Sequence, residues 1–289
     1  MDTIIKEIRS YTKLSQQEFA KKLGISFETL TRWENVKGEL SSFEQKQLYD
    51  FCRNLKVPVH DLILHRINDE VDRLFIPKNR IVLYHGSKSG IQGKIALLSR
   101  EKCDFGKGFY MGTDPIQPLT LICDYEDAKF YLMSVSMEGL CSLDIPVSLE
   151  WAMIVAFNRG KMDSIKGSVF YEKYRKLSKN KDFIIGSIAN DRMFYVLDNF
   201  FQGNITDLAL MKSLSALQLG KQYVAVSQLG CEAIRIEKEI SLSKFERKFL
   251  QDVSEANRMQ GISIANDICK NYRREGLFFD EILKQEMER

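Results

Sequence analysis

The sequence predicts two units of different class: an all-α unit over residues 1–65, and an α+β domain over 81–240 that ends in a helical appendage over 241–289. Three observations carry this division. The first 65 residues hold helix-capping signals and helical apolar spacing. From Ile81 onward, short β-branched and aromatic runs alternate with helical stretches. Beyond Leu242 the spacing becomes helical again and stays so to the last residues.

With 289 residues the chain is long enough for two cores. A formal net charge of only +3 excludes a strongly basic nucleic-acid binder, while leaving room for a local basic face. The first turns carry charge, so no secretory leader is expected. No apolar run reaches the roughly 20 residues of a membrane helix, so no membrane contact is expected either. Six cysteines stand singly, without C-x-x-C spacing or a histidine partner, and are expected as free thiols in a reducing cytoplasm, with no metal.

In the N-terminal unit, Ser15-x-x-Glu18 and Ser41-x-x-Glu44 are both capping boxes, each pairing two backbone N–H groups reciprocally. Phe19, Ala20 and Leu23 lie on one helical face, Gly24 stops that helix, and Ser26 caps the next, where Leu30 and Trp33 point inward. Two helices broken at Gly24-Ile25-Ser26 form a helix-turn-helix pattern. The run Leu14 to Ser26, followed by Thr31-Arg32-Trp33-Glu34-Asn35, resembles the Cro/phage-repressor type of helix-turn-helix domain. That resemblance implies five short helices and DNA as partner, with Phe27, Glu28, Thr29 and Arg32 facing bases and Gln16 and Lys37 meeting phosphates. Arg32 is the guanine reader of the set. Phe27 offers only a thymine-methyl contact, Glu28 repels phosphates, and Val36 stands where the family usually has glycine. The alternative is a helix-turn-helix that serves protein interaction or dimerisation.

Residues 66–80 read as a charged helical connector closed by a turn at Pro77. It contains no Gly/Ser-rich tether, so the two units are expected to be fixed with respect to each other.

In the second domain, strands are expected at Ile81–Tyr84, Gly108–Met111, Ala128–Ser136, Phe183–Gly186 and Gln222–Ser227. Helices are expected at Leu149–Asn158, Arg192–Asn199 and Thr206–Ala216, and the lysine-rich stretch 160–181 reads as loop or irregular helix. Two segments organise the domain. Leu83-Tyr84-His85-Gly86-Ser87 is a buried run ending in a polar turn. Asp104-Phe105-Gly106-Lys107-Gly108-Phe109-Tyr110 brackets aromatics with glycines, which allow close backbone approach beside flat ring surfaces.

Together with Trp151, Asn158-Arg159, Gly186 to Arg192 and Gln222-Tyr223-Val224, these segments occur in the order of a bacterial family within the ADP-ribosyltransferase superfamily, which the domain resembles. The resemblance implies a split pair of small sheets with NAD, as substrate, held in the cleft between them. It implies that His85 bonds the adenosine ribose, that the Gly86 backbone grips the nicotinamide amide, and that Tyr110 stacks on nicotinamide with Phe105 or Phe109 closing over it, Ser87 and Gly108 completing the NAD-binding surface. Asn190 joins this NAD-binding set. Such a transfer breaks a glycosidic bond through an oxocarbenium-like state, for which the superfamily usually supplies a carboxylate on a later strand. Here that position is Gln222, whose amide accepts a hydrogen bond but cannot act as a base, so Asp191 is the candidate base.

Each candidate also has a plainer reading. His85 and Tyr110 are ordinary strand residues, Gly106 and Gly108 make a turn, and Gln222 belongs to a ladder. Asp191 caps a helix, and the basic run at 161–181 is a solvated face. The functional expectation is an NAD-dependent ADP-ribosyltransferase fused to a DNA reader. Its acceptor would be a protein or nucleic acid, in a toxin–antitoxin, phage-defence or regulatory setting with an antitoxin or a second copy as partner. The alternatives are a transcription regulator whose degenerate transferase-like domain senses NAD or another nucleotide, and a protein-interaction scaffold. The tail is expected to open with a helix capped by Ser243-x-x-Glu246, to repeat its apolar pattern at Ile264, Ile268 and Tyr272 after Gly261, and to end in a final charged helix, packed on the second domain or forming a dimer.

Overall fold

The caps anticipated at Ser15 and Ser41 set the first unit's architecture. The computed structural model describes residues 2–35, 40–177, 179–188, 191–216, 220–272 and 275–288. Its first helices are α1 (Asp2–Thr12), α2 (Gln16–Leu23), α3 (Phe27–Asn35), α4 (Ser42–Asn54) and α5 (Val59–Arg73). Ser15 and Ser41 close their capping boxes with Glu18 and Glu44, arrangements that typically contribute about 1 kcal/mol each. Gly24 ends α2 with φ of 70°, a left-handed conformation that favours glycine. Inside the unit Glu34 is fully buried and accepts from Arg9 Nε at 2.6 Å and from Gln16 Nε2 at 2.6 Å, so α1, α2 and α3 converge on one carboxylate. α5 runs unbroken from Val59 to Arg73, across residue 65.

The second domain begins with β1 (Arg80–Ser87), β2 (Phe109–Gly112), α6 (Ile116–Ile122), β3 (Lys129–Ser136), β4 (Ser142–Ile145) and α7 (Leu149–Asn158). A 3-10 turn at Asp163–Ile165 leads to α8 (Val169–Leu177), β5 (Phe183–Ser187), α9 (Asp191–Phe201) and α10 (Asp207–Ala216). Then come β6 (Lys221–Ala225), α11 (Gln228–Glu232), β7 (Ile234–Ser241), α12 (Lys244–Asn271) and α13 (Phe279–Glu288). The strands form one mixed seven-stranded sheet in the order β4-β5-β6-β2-β1-β3-β7. Only β4 and β5 run parallel.

The sheet corrects the expectation of two separate half-sheets. β1 and β2 are paired, but at a single register position, Tyr84 opposite Gly112, whereas β1 and β3 pair all along from Arg80–Ser136 to Ser87–Lys129. The ladder is therefore continuous yet narrowest at its centre.

Other expectations also change. The stretch 160–181 contains a regular helix, α8, because Phe170, Tyr171 and Tyr174 form an inward stripe while its cations face out, with Lys173 on Glu150 and Arg175 on Glu172. In the tail, Gly261 lies inside a single helix. α12 continues through this buried glycine to Asn271, packing that outweighs the roughly 1 kcal/mol helix penalty of glycine. β4, β7 and α6 were not expected. α6 tolerates Pro118 because it lies in the first turn, where the missing N–H has no intrahelical partner to lose.

One apolar cluster spans both units. Leu30, Leu48 and Ile63 of the first, with Ile67 of the connector, belong with Leu119, Phe130, Leu132, Phe245 and Leu250 of the rest of the chain. α12 adds polar ties, with Tyr49 donating to Asp252 at 2.6 Å and Arg66 paired with Glu246. Among the described residues no helix is long and apolar enough to cross a membrane.

Candidate functional site

A cleft of about 700 Å³ lies at the narrow junction of β1 and β2. Its walls include His85 and Gly86 from β1, Tyr110 and Gly112 from β2, and Gln222 from β6. Arg100, Lys102 and Asp104 come from the β1–β2 connection, Pro118 and Leu121 from α6, and Ser254 and Asn257 from α12. Four of the residues proposed from the sequence (His85, Gly86, Tyr110 and Gln222) thus meet in one place.

His85 is half-buried, and its Nδ1 lies 2.7 Å from the Tyr110 carbonyl oxygen. A carbonyl only accepts, so Nδ1 carries the proton and Nε2 is left as an acceptor. The ring stacks on Phe109 with centroids 4.4 Å apart. Burial favours the neutral imidazole and holds its pKa below the ordinary 6.5, against the opposing pull of the hydrogen bond to the Tyr110 carbonyl.

Tyr110 lends its ring to the cleft, while its hydroxyl is committed elsewhere. It donates to the Gly106 carbonyl at 2.7 Å and accepts from the Phe105 N–H at 3.1 Å. Burial raises the phenol above its ordinary range, so the group works as a clamp on the 105–106 backbone rather than as an acid or base. Asn158 Nδ2 holds the neighbouring Asp104 carbonyl at 3.2 Å, and Arg159 grips the Asp104 carboxylate through Nε at 3.0 Å and Nη2 at 2.5 Å.

Gln222 faces Gly112 and Gly186 across its two ladders. The ring of Phe105 fills the space over Gly186, where an added Cβ would meet it at 2.6 Å. Gly86 is required by α6, since a Cβ there would lie 2.7 Å from both Ile122 Cγ2 and the Pro118 oxygen.

The remaining proposed residues do not line the cleft. Phe105 is buried against Gly186, Phe109 supports His85 from beneath, and a Cβ at Gly108 would meet Val224 Cγ1 at 2.5 Å. Ser87 ends β1 outside the walls. Asn190 lies outside the described residues, as does the Asp191 side chain. Sequence reasoning missed Arg100, Lys102, Ser254 and Asn257. The first two carried only a charge signal, and the last two come from a tail remote in sequence.

On the first unit, Phe27, Glu28 and Arg32 are exposed along α3, and Thr29 is half-buried with its hydroxyl accepting from Ser26. Arg32 Nη2 lies 2.5 Å from Glu44 Oε1, an oxygen that also accepts from Trp33 Nε1 at 3.1 Å. Gln16 is turned onto Glu34. Lys37 and Val36 lie outside the described residues.

A family model described as helix-turn-helix matches residues 5–59. A second, described as protein of unknown function (DUF3990), matches residues 81–236, more than half of the 289-residue chain. No curated protein and no solved structure matches the chain significantly.

Proposed function

This chain belongs to the family of proteins of unknown function DUF3990, and from that premise we propose that its second domain is an NAD-consuming ADP-ribosyltransferase joined to a DNA-binding helix-turn-helix unit. The observation that supports the reading is the convergence of His85, Tyr110 and Gln222, from three different strands, on one cleft of about 700 Å³. That volume lies within the range of small-molecule sites, roughly 300–1,000 Å³. Arg100 and Lys102 on the rim suit a diphosphate.

In this reading NAD supplies a glycosidic bond to a leaving group that departs neutral. The chain's own residues bind and orient it. Neutral His85 accepts from a ribose hydroxyl through Nε2, the Tyr110 ring gives the nicotinamide a face, and Gln222 accepts from a second ribose hydroxyl. Asp191 remains the candidate base for the acceptor's proton, and the acceptor is a protein or nucleic acid. A toxin–antitoxin, phage-defence or regulatory setting suits a chain that pairs such a cleft with a DNA reader.

The test is incubation of the intact protein with labelled NAD and cell extract, beside His85→Ala and Tyr110→Phe. Transfer of label that is lost in His85→Ala is the expected result. Binding of NAD without transfer or NAD loss would replace this reading with the second one, a regulator that senses a nucleotide. One observation favours that second reading: α12 both lines the cleft at Ser254 and Asn257 and touches the first unit through Asp252 and Glu246.

A further inference from the structure

Gln222 stands where a carboxylate was expected, and its surroundings explain the amide. Its Nε2 donates to the Ser187 carbonyl at 3.0 Å and, more weakly, to Asp104 Oδ2 at 3.4 Å. Both partners are acceptors only, so the nitrogen must face them; the oxygen in that place would meet two other oxygens. With both N–H bonds donated, only Oε1 is left to meet a ligand, and it can only accept.

Asp104 is held as tightly as the amide it faces. Arg159 binds its Oδ1, Asn158 binds its carbonyl, and the Tyr110 hydroxyl fastens the two residues that follow it. The Asp104 and Arg159 side chains are 13% and 7% exposed.

We propose that Asp104 and Gln222 act as one unit, in which Asp104 holds the negative charge of the site and fixes the Gln222 amide so that Oε1 is offered to a ligand hydroxyl. Asp104 is then a positioning residue, and the charge has been moved from β6 to the β1–β2 connection. Glutamate at 222 would set two carboxylates against each other at the distance now spanned by a hydrogen bond, where like charges disfavour double ionisation. Glutamate at that position therefore harms the site instead of restoring it.

This inference rests on the NAD reading for the identity of the ligand, although not for the pairing itself. Calorimetric NAD binding and NAD turnover are compared in the intact protein, Gln222→Glu, Asp104→Asn and the double variant, each checked by thermal unfolding. Each single change is expected to weaken binding about tenfold or more, and the double variant to recover to within about threefold of the intact protein. Gln222→Glu that equals or exceeds the intact protein would overturn the proposal, and so would a double variant no better than the worse single change.

The side-chain amide signals of Gln222 in ¹⁵N NMR give a readout independent of NAD and of activity. They are expected to shift in a folded Asp104→Asn, and signals that stay in place there would overturn the pairing. An intact protein that does not bind NAD, but whose Gln222 signals respond to Asp104→Asn, would sink the NAD reading while supporting the pair.

Discussion

Arg66 of α5 and Glu246 of α12 form an ion pair whose side chains are 15% and 2% exposed. It joins the helix-turn-helix unit to the second domain at the end of a helix whose next turns reach the cleft. Glu246 is also the capping-box acid of α12, receiving Ser243 N at 2.8 Å. One carboxylate thus starts the long helix and holds the neighbouring unit against it.

Removing Arg66 leaves that buried carboxylate without its cation, a change that typically costs about 3–5 kcal/mol. Arg66→Ala should lower the urea midpoint accordingly. The chain's two tryptophans, Trp33 in the first unit and Trp151 in the second, allow each unit to be followed separately in single-tryptophan variants. Because both units contribute to one apolar cluster, the two probes should report the same transition in the intact protein. Two separate transitions would contradict the shared core.

Glu7 faces the same junction, and its Oε2 is buried with no hydrogen-bond partner among the described residues. Burial raises its carboxyl pKa above the ordinary 4.5. Glu246 and Asp69 push the same way, against Arg66 and His65. A raised folded-state value means that this group's contribution to stability is fully present below about 4.5 and is lost as pH rises through the folded value. Glu7→Gln should therefore raise the melting temperature at pH 7 and leave it unchanged in acid near pH 4. A lower melting temperature at pH 7 would show that the ionised carboxylate is stabilising.

On the proposed DNA-reading face, Glu44 holds Arg32 at 2.5 Å. If Arg32 reads guanine, Arg32→Ala should cost about 1–3 kcal/mol at one base pair, measured by anisotropy against a panel of single-substituted sites. Glu44→Gln keeps a capping-capable side chain while releasing the arginine and removing a nearby negative charge. It should tighten DNA binding. Unchanged sequence preference in Arg32→Ala would remove Arg32 from the base-reading set.

How far the sequence speaks for the structure depends on whether a signal is local. The limits of α7 match its apolar run from Leu149 to Asn158, and the boxes at Ser15, Ser41 and Ser243 all close as their spacing requires. These are decided within a few residues. β7 was missed because only Ile234, Ile236 and Ile240 of its eight residues are apolar, with charged residues at 235 and 237–239 between them, and a bulge falls opposite Leu132 and Met133. Its interspersed charges suit an edge strand.

The site divides in the same way. His85 and Tyr110 stand beside glycines whose need can be read locally. The partnership of Gln222 with Asp104 joins residues 118 positions apart, and nothing local announces it. The role of the Tyr110 hydroxyl was equally hidden, because only the folded loop brings the Phe105 N–H and the Gly106 carbonyl to it.

The most direct test of the central claim is calorimetric titration of the intact protein with NAD between pH 5 and 8, beside His85→Ala. The lowered His85 pKa makes its neutral, accepting form fully present above the ordinary 6.5 and lost as pH falls through the folded value. Binding should be strong and level at the upper end, weaken as the pH falls, and be reduced about tenfold or more by His85→Ala at pH 8. No binding of NAD, or binding unchanged by His85→Ala across that range, would contradict the account.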